Sequence, residues 1–134
     1  MDWLKDYSGL YESTIQLVLK LGNLDKGITL TSPGRLKSSE SKMTVGASER
    51  LKELQNSFAD IEKSLKRLPK SSRADLREIN RDLQSACRGY SAACKMFIMW
   101  GKRPTNFIEI ATIETIEKAD KDMGKVKENL EKIP

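Results

Sequence analysis

Three stretches of the chain carry apolar residues in an unbroken alternation of three- and four-residue steps. They are Leu51-Leu54-Phe58-Ile61-Leu65-Leu68, Leu76-Ile79-Leu83-Ala86-Tyr90-Ala93-Phe97-Trp100 and Ile116-Ala119-Met123-Val126-Leu130-Ile133. A helix turns once every 3.6 residues, so each set falls on one side of a helix and needs a packing partner along its whole length. The fold class this predicts is all-α: a four-helix bundle with a long connection between helices 1 and 2.

The first of the four helices is expected from about Asp2 to Leu21. Trp3, Leu10 and Leu17 repeat every seven residues, with Leu4, Tyr7, Tyr11, Val18 and Leu21 beside them. Asp2 and Asp6 suit the positive end of the helix dipole, and Gly22-Asn23 predicts a stop. The second helix is predicted to open at Ser48 as N-cap and to close before Pro69. The few residues around Pro69 to Ser72 then imply an antiparallel helical hairpin. Ser72-Arg73-Ala74-Asp75 resembles a capping box with aspartate in place of Glu or Gln, opening a third helix that runs to about Trp100, with Gly101 and Pro104 beyond. Asn106-Phe107-Ile108-Glu109 reads as a second capping box, opening the fourth.

Residues 22–47 differ in kind. Gly22, Gly27, Gly34, Gly46 and Pro33 accompany the polar run Ser38-Ser39-Glu40-Ser41-Lys42. They predict a long connection, either a flexible crossover or a recognition element. Within it Ile28-Thr29-Leu30-Thr31 alternates like a short strand and Ser32-Pro33-Gly34-Arg35 reads as a β-turn. So long a connection leaves the order of the helices in the bundle open. The 134 residues suit a single domain, 1–134, of a size that buries roughly two-thirds of its unfolded surface.

Chemistry is harder to find. The chain has no histidine, which removes the commonest general base, the Ser-His and Cys-His nucleophile pairs and the Glu-x-x-His ligands of di-iron bundles. Glu114 with Glu117 and Asp120 with Asp122 are carboxylate pairs, but lysines interleave them as on a solvated face. No glycine-rich phosphate cradle is present. Cys87 and Cys94, seven apart on one predicted helix, stand about 10 Å from each other, beyond disulfide reach. They read as reduced, partly buried thiols. The expectation is a non-enzymatic protein with no cofactor and no metal site. The longest apolar run, Met96 to Trp100, is far short of the roughly 18 residues of a membrane span. The acids close behind Met1 do not resemble a signal peptide. An integral membrane segment is therefore not expected, and a cytoplasmic location is.

Two surfaces are candidates for binding. Residues 48–104 hold 13 basic against 7 acidic groups, a net charge of +6. Arg73, Arg77, Arg81 and Arg88 fall within an arc of about 80° on the third helix, pointing away from its core face. Lys66, Arg67 and Lys70 adjoin them at the turn. Such a stripe is either a solvated face or a site for nucleic acid or another polyanion, since guanidinium forks match phosphates. The second surface is the end of the third helix, where Lys95 is the one polar residue from Ala92 to Trp100. Met96, Ile98, Met99 and Trp100, with Phe107 and Ile110 of the next helix, exceed what one apolar stripe requires. They are either the centre of the bundle or a protein interface. The function expected first is that of an interaction or adaptor protein, binding an unidentified protein partner, with a homodimer as one form of that association. The alternative is a nucleic-acid or polyanion-binding module using the basic helix face.

Overall fold

The computed structural model describes residues 2–28, 45–103 and 105–133. Among them are four helices and no strand: α1 (Trp3–Ile28), α2 (Val45–Arg67), α3 (Ala74–Lys102) and α4 (Asn106–Glu131). They form a four-helix bundle. The α1 indole N–H of Trp3 donates to the carbonyl of Pro69 at 2.9 Å, and the Tyr7 hydroxyl donates to the carbonyl of Ile79 at 2.6 Å. The start of α1 thus lies beside the end of α2 and the start of α3, so the helices alternate up, down, up, down. The helix order that the sequence left open is the simple antiparallel one.

Helix α3 is the spine, packing along both α2 and α4, while α1 lies against the assembly more loosely. Its buried face is the one its spacing predicts: Leu76, Ile79, Leu83, Ala86, Tyr90, Ala93, Phe97 and Trp100 are all buried, as are Cys87 and Cys94. The core divides into two layers. The lower one gathers Tyr7, Ile61, Leu65, Ile79, Leu83 and Val126; the upper one gathers Leu51, Leu54, Phe58, Tyr90, Phe97 and Trp100. Phe58 and Tyr90 stack with centroids 5.2 Å apart. Removing a buried Leu or Phe from such a core costs about 2–5 kcal/mol.

Several boundaries differ from expectation. Helix α1 continues through Gly22 and Asn23 to Ile28, so residues 22–28 belong to it rather than to the connection. Glycine is merely a poor helix former, and Leu21, buried at 4 % exposure, fastens this turn to the upper core. Helix α2 begins at Val45, which places Ser48 inside it instead of at its cap. The strand expected at 28–31 fails at Ile28, which is helical; the rest of it and the turn at 32–35 lie outside the described residues. The centre of the α1 face is Tyr7-Thr14-Leu21, with Trp3, Leu10 and Leu17 half-buried at one side. Thr14 escapes an apolar count because it is polar. It is fully buried nonetheless, its hydroxyl donating to the Leu10 carbonyl at 2.8 Å and lying 3.6 Å from the Cys87 sulfur.

Both capping boxes are replaced. The N-cap of α3 is Arg73, which makes no side-chain cap. Asp75 instead accepts from the Leu76 N–H and from the Arg73 guanidinium, and Ser71 Oγ accepts from the Arg73 N–H. The N-cap of α4 is Thr105, one residue ahead of the predicted Asn106; its hydroxyl accepts from the Ile108 N–H at 3.2 Å.

Candidate functional site

The start of α4 is built inside out. Its buried line, Ala119 and Val126 with Ile116 and Met123, continues backward at three- and four-residue steps to Thr112 and Glu109. Both are fully buried. Thr112 donates back to the carbonyl of Ile108 at 2.7 Å. With polar residues on the inward positions, two apolar ones of the same turns stand outside while Ile108 packs against the upper core: Phe107 is 82 % exposed and Ile110 44 %. Nothing in local propensity asks for this arrangement, and such conflicts between pattern and burial concentrate at functional positions.

The neighbouring helix extends the exposed surface. Contacts between α3 and α4 fall at Met96 with Thr115, Gly89 with Ala119 and Ser85 with Asp122, an antiparallel register that brings Met99 level with Ile110. Met99 is 49 % exposed. Of the six apolar residues singled out in the sequence, Met99, Phe107 and Ile110 are the exposed ones, all towards one end of the α3–α4 hairpin. Trp100 does not join it: it is wholly buried in the upper core, which corrects its assignment to an interface. Ile98 is half-buried against that core. Met96 is half-buried in the α3–α4 groove, where its sulfur lies 3.5 Å from the Thr115 hydroxyl, which also has the Ala111 carbonyl at 2.7 Å to donate to. That groove encloses about 320 Å³ and is floored by Gly89, Ala92 and Ala119. A larger groove of 380 Å³ lies between α1 and α2, with Lys20, Arg50 and Glu53 on its walls.

The basic residues fare unequally. Arg73 spends its guanidinium on Asp75, whose carboxyl it holds below the usual carboxylate range, and Arg77 donates to the Ser71 carbonyl at 2.9 Å. Arg88 and Lys66 converge on Glu62 at 2.8 and 3.2 Å. Burial pushes the Glu62 pKa up, but these two cations outweigh it and the net shift is downward. Arg67, Lys70 and Arg81 are exposed and form no ion pair among the described residues. The sequence brought these seven together as one stripe; the structure ties four of them to acids or a backbone carbonyl.

The thiols offer little chemistry. Burial pushes Cys87 up to about 11 and Cys94 up to about 12, so neither is a thiolate near neutrality. No cluster of metal-ligating side chains and no helix long and apolar enough to cross a membrane occurs among the described residues. Comparison with known protein families, with curated proteins and with solved structures finds no match to this chain.

Proposed function

We propose that the chain is a helical interaction module that receives a protein partner on the exposed end of the α3–α4 hairpin. The observation that carries this reading is the inversion at the start of α4, with Glu109 and Thr112 inside and Phe107 and Ile110 outside. A large aromatic left 82 % exposed, with Met99 and Ile110 also exposed towards the same end of the hairpin, costs solvation that a bound partner would recover, at roughly 25 cal/mol per Å² of apolar surface covered. Aromatic and methionine side chains are also the types enriched where partners meet. A second copy of the chain would satisfy the same surface.

A photo-crosslinking amino acid placed at Phe107 in cells that make the protein tests this reading. One discrete adduct is expected from position 107, lost when Met99 and Ile110 are both changed to Asp, and absent from a probe at exposed Lys121. An adduct of twice 15.2 kDa would identify the partner as a second copy. The same adducts from positions 107 and 121, or none from either, would overturn the reading.

A further inference from the structure

The charges of α2 and α3 are sorted by flank, and only the packing reveals what the sorting achieves. On α3, Arg77, Arg81, Arg88, Lys95 and Lys102 lie within an arc of about 60°, counting 100° per residue. The last four are spaced by seven. The acids Glu78 and Asp82 lie about 60–160° around the helix from these cations, on the flank that faces α4, where Asp82 meets the charges of Lys125 and Asp122. On α2, Lys52, Lys63 and Lys66 share an arc of about 60°, and Glu49, Glu53 and Asp60 lie about 40–140° around the helix from them, on the side away from α3, with Glu53 on the wall of the α1–α2 groove.

The hydrogen bonds between α2 and α3 show that the two basic flanks adjoin. Arg88 binds Glu62, Ser91 donates to the Gln55 carbonyl and Asn80 to that of Leu65. This antiparallel register sets Lys66 near the level of Arg81 and Lys52 near that of Lys95. The shared outer face of α2 and α3 therefore holds eight cations and one acid, Glu62, which is only 15 % exposed and already held between Arg88 and Lys66. Among the described residues no carboxylate lies within 4.0 Å of Lys52, Lys63, Arg81, Lys95 or Lys102. Acids are kept off this face by both helices at once, which solubility alone does not require.

We infer that this face binds the phosphate backbone of a double-stranded nucleic acid. From Arg77 to Lys102 the row is about 37 Å long at 1.5 Å per residue, close to the roughly 34–36 Å of one duplex turn. A straight row of cations suits a stiff duplex, which carries one negative charge per roughly 1.7 Å of its axis. Single strands are held largely by aromatic stacking, and the nearby aromatics Phe58, Tyr90 and Trp100 are all buried. A membrane surface would need several apolar anchors among the cations, whereas Gln84, Ser85, Ser91 and Ala92 lie between most of them and Met99 is the single exposed large apolar side chain of α3. Contacts of this kind position a duplex without reading its sequence. The cations that carry this inference are not residues of the partner site, although Met99 of that site borders their row between Lys95 and Lys102.

The test is fluorescence anisotropy with 25-base-pair mixed-sequence DNA and RNA duplexes, titrated between roughly 50 and 200 mM NaCl. The parent is expected to bind, steeply weakened by salt. The triple variant Lys52→Gln/Arg81→Gln/Lys95→Gln should bind on the order of 30-fold more weakly, with a salt slope shallower by about 2–3. Lys118→Gln/Lys121→Gln/Lys125→Gln removes the same charge from the exposed side of α4 and should change affinity less than about threefold. Circular dichroism of both triples, expected to match the parent, separates lost binding from lost folding. The inference is overturned by absent duplex binding at 50 mM salt, by equal losses in the two triples, by tighter binding to the matching single strands, or by binding only to phosphatidylserine vesicles. A Phe107→Asp variant should keep duplex affinity, so failure at one surface is distinguishable from failure at the other.

Discussion

Gly89 shows how one residue can set the distance between two helices. Mid-helix glycine costs about 1 kcal/mol relative to alanine, so α3 has a reason to hold one. A Cβ at Gly89 would lie 3.0 Å from the Cβ of Ala119, tight enough that Ala119 would have to give by a few tenths of an ångström. Gly89→Ala is therefore expected to come out near neutral, its propensity gain offset by the contact. Gly89→Val, with two branches against α4, should lose about 1–3 kcal/mol in urea unfolding. Ala119→Gly should return part of that loss, and a double-mutant cycle with no coupling between the two positions would contradict the close approach. Thr14 illustrates the reverse dependence. Its buried hydroxyl is tolerated because the Leu10 carbonyl accepts its proton.

At the scale of elements, the start of α4 is decided by which residue satisfies its free N–H groups. Thr105 does this for α4, its hydroxyl accepting from Ile108 and its carbonyl from the Glu109 N–H at 3.0 Å. Thr105→Ala should cost about 1 kcal/mol in equilibrium unfolding, and Thr105→Asp should cost little. Because this cap also orients the first turn, its loss should loosen the presentation of Phe107 before it affects the C-terminal half of α4. Hydrogen exchange of the amides from Phe107 to Thr112 checks this: uniform protection along α4 in the variant would count against it. The one-residue shift from Asn106 to Thr105 also explains Glu109. Read from Asn106 it would be a capping side chain. Read from Thr105 it falls on the buried line of α4.

The whole molecule has a pH response set by what it lacks and what it buries. With no histidine, no side chain has an ordinary pKa between about 5 and 8. Burial raises Cys87, Cys94, Tyr7 and Tyr90 above their ordinary values of 9.0 and 10.0, with the Asp120 carboxylate adding to the rise at Tyr90. A group whose folded pKa is raised contributes stability that is whole below the unfolded value and lost as pH climbs toward the folded one. The melting temperature should therefore be nearly constant from pH 6 to 8 and fall steadily above about 9, as the unfolded chain gains the ionised thiols and phenols that the core refuses. Thermal melts across that range check it; a step near pH 7 would contradict the assignment.

The number of helices was legible in the sequence, though not where α1 ends or α2 begins, because a helical period is local: Leu51 to Leu68 and Leu76 to Trp100 announce their faces within a few turns. The buried row of α3 follows from its spacing alone. What the spacing could not supply is which flank meets which neighbour, and that is a long-range property. Trp100 and Met99 are adjacent in an apolar run, yet one is sealed in the upper core and the other faces outward, since only Trp100 lies on the face of α3 that the core covers. Phe107 and Glu109 exchange the roles their polarity suggests for the same reason. The cations of α2 and α3 become one surface only when the antiparallel register lays Lys66 beside Arg88 and turns the acids toward α1 and α4. Sequence periodicity determined the elements; packing between elements distant along the chain decided which of their residues the molecule leaves exposed.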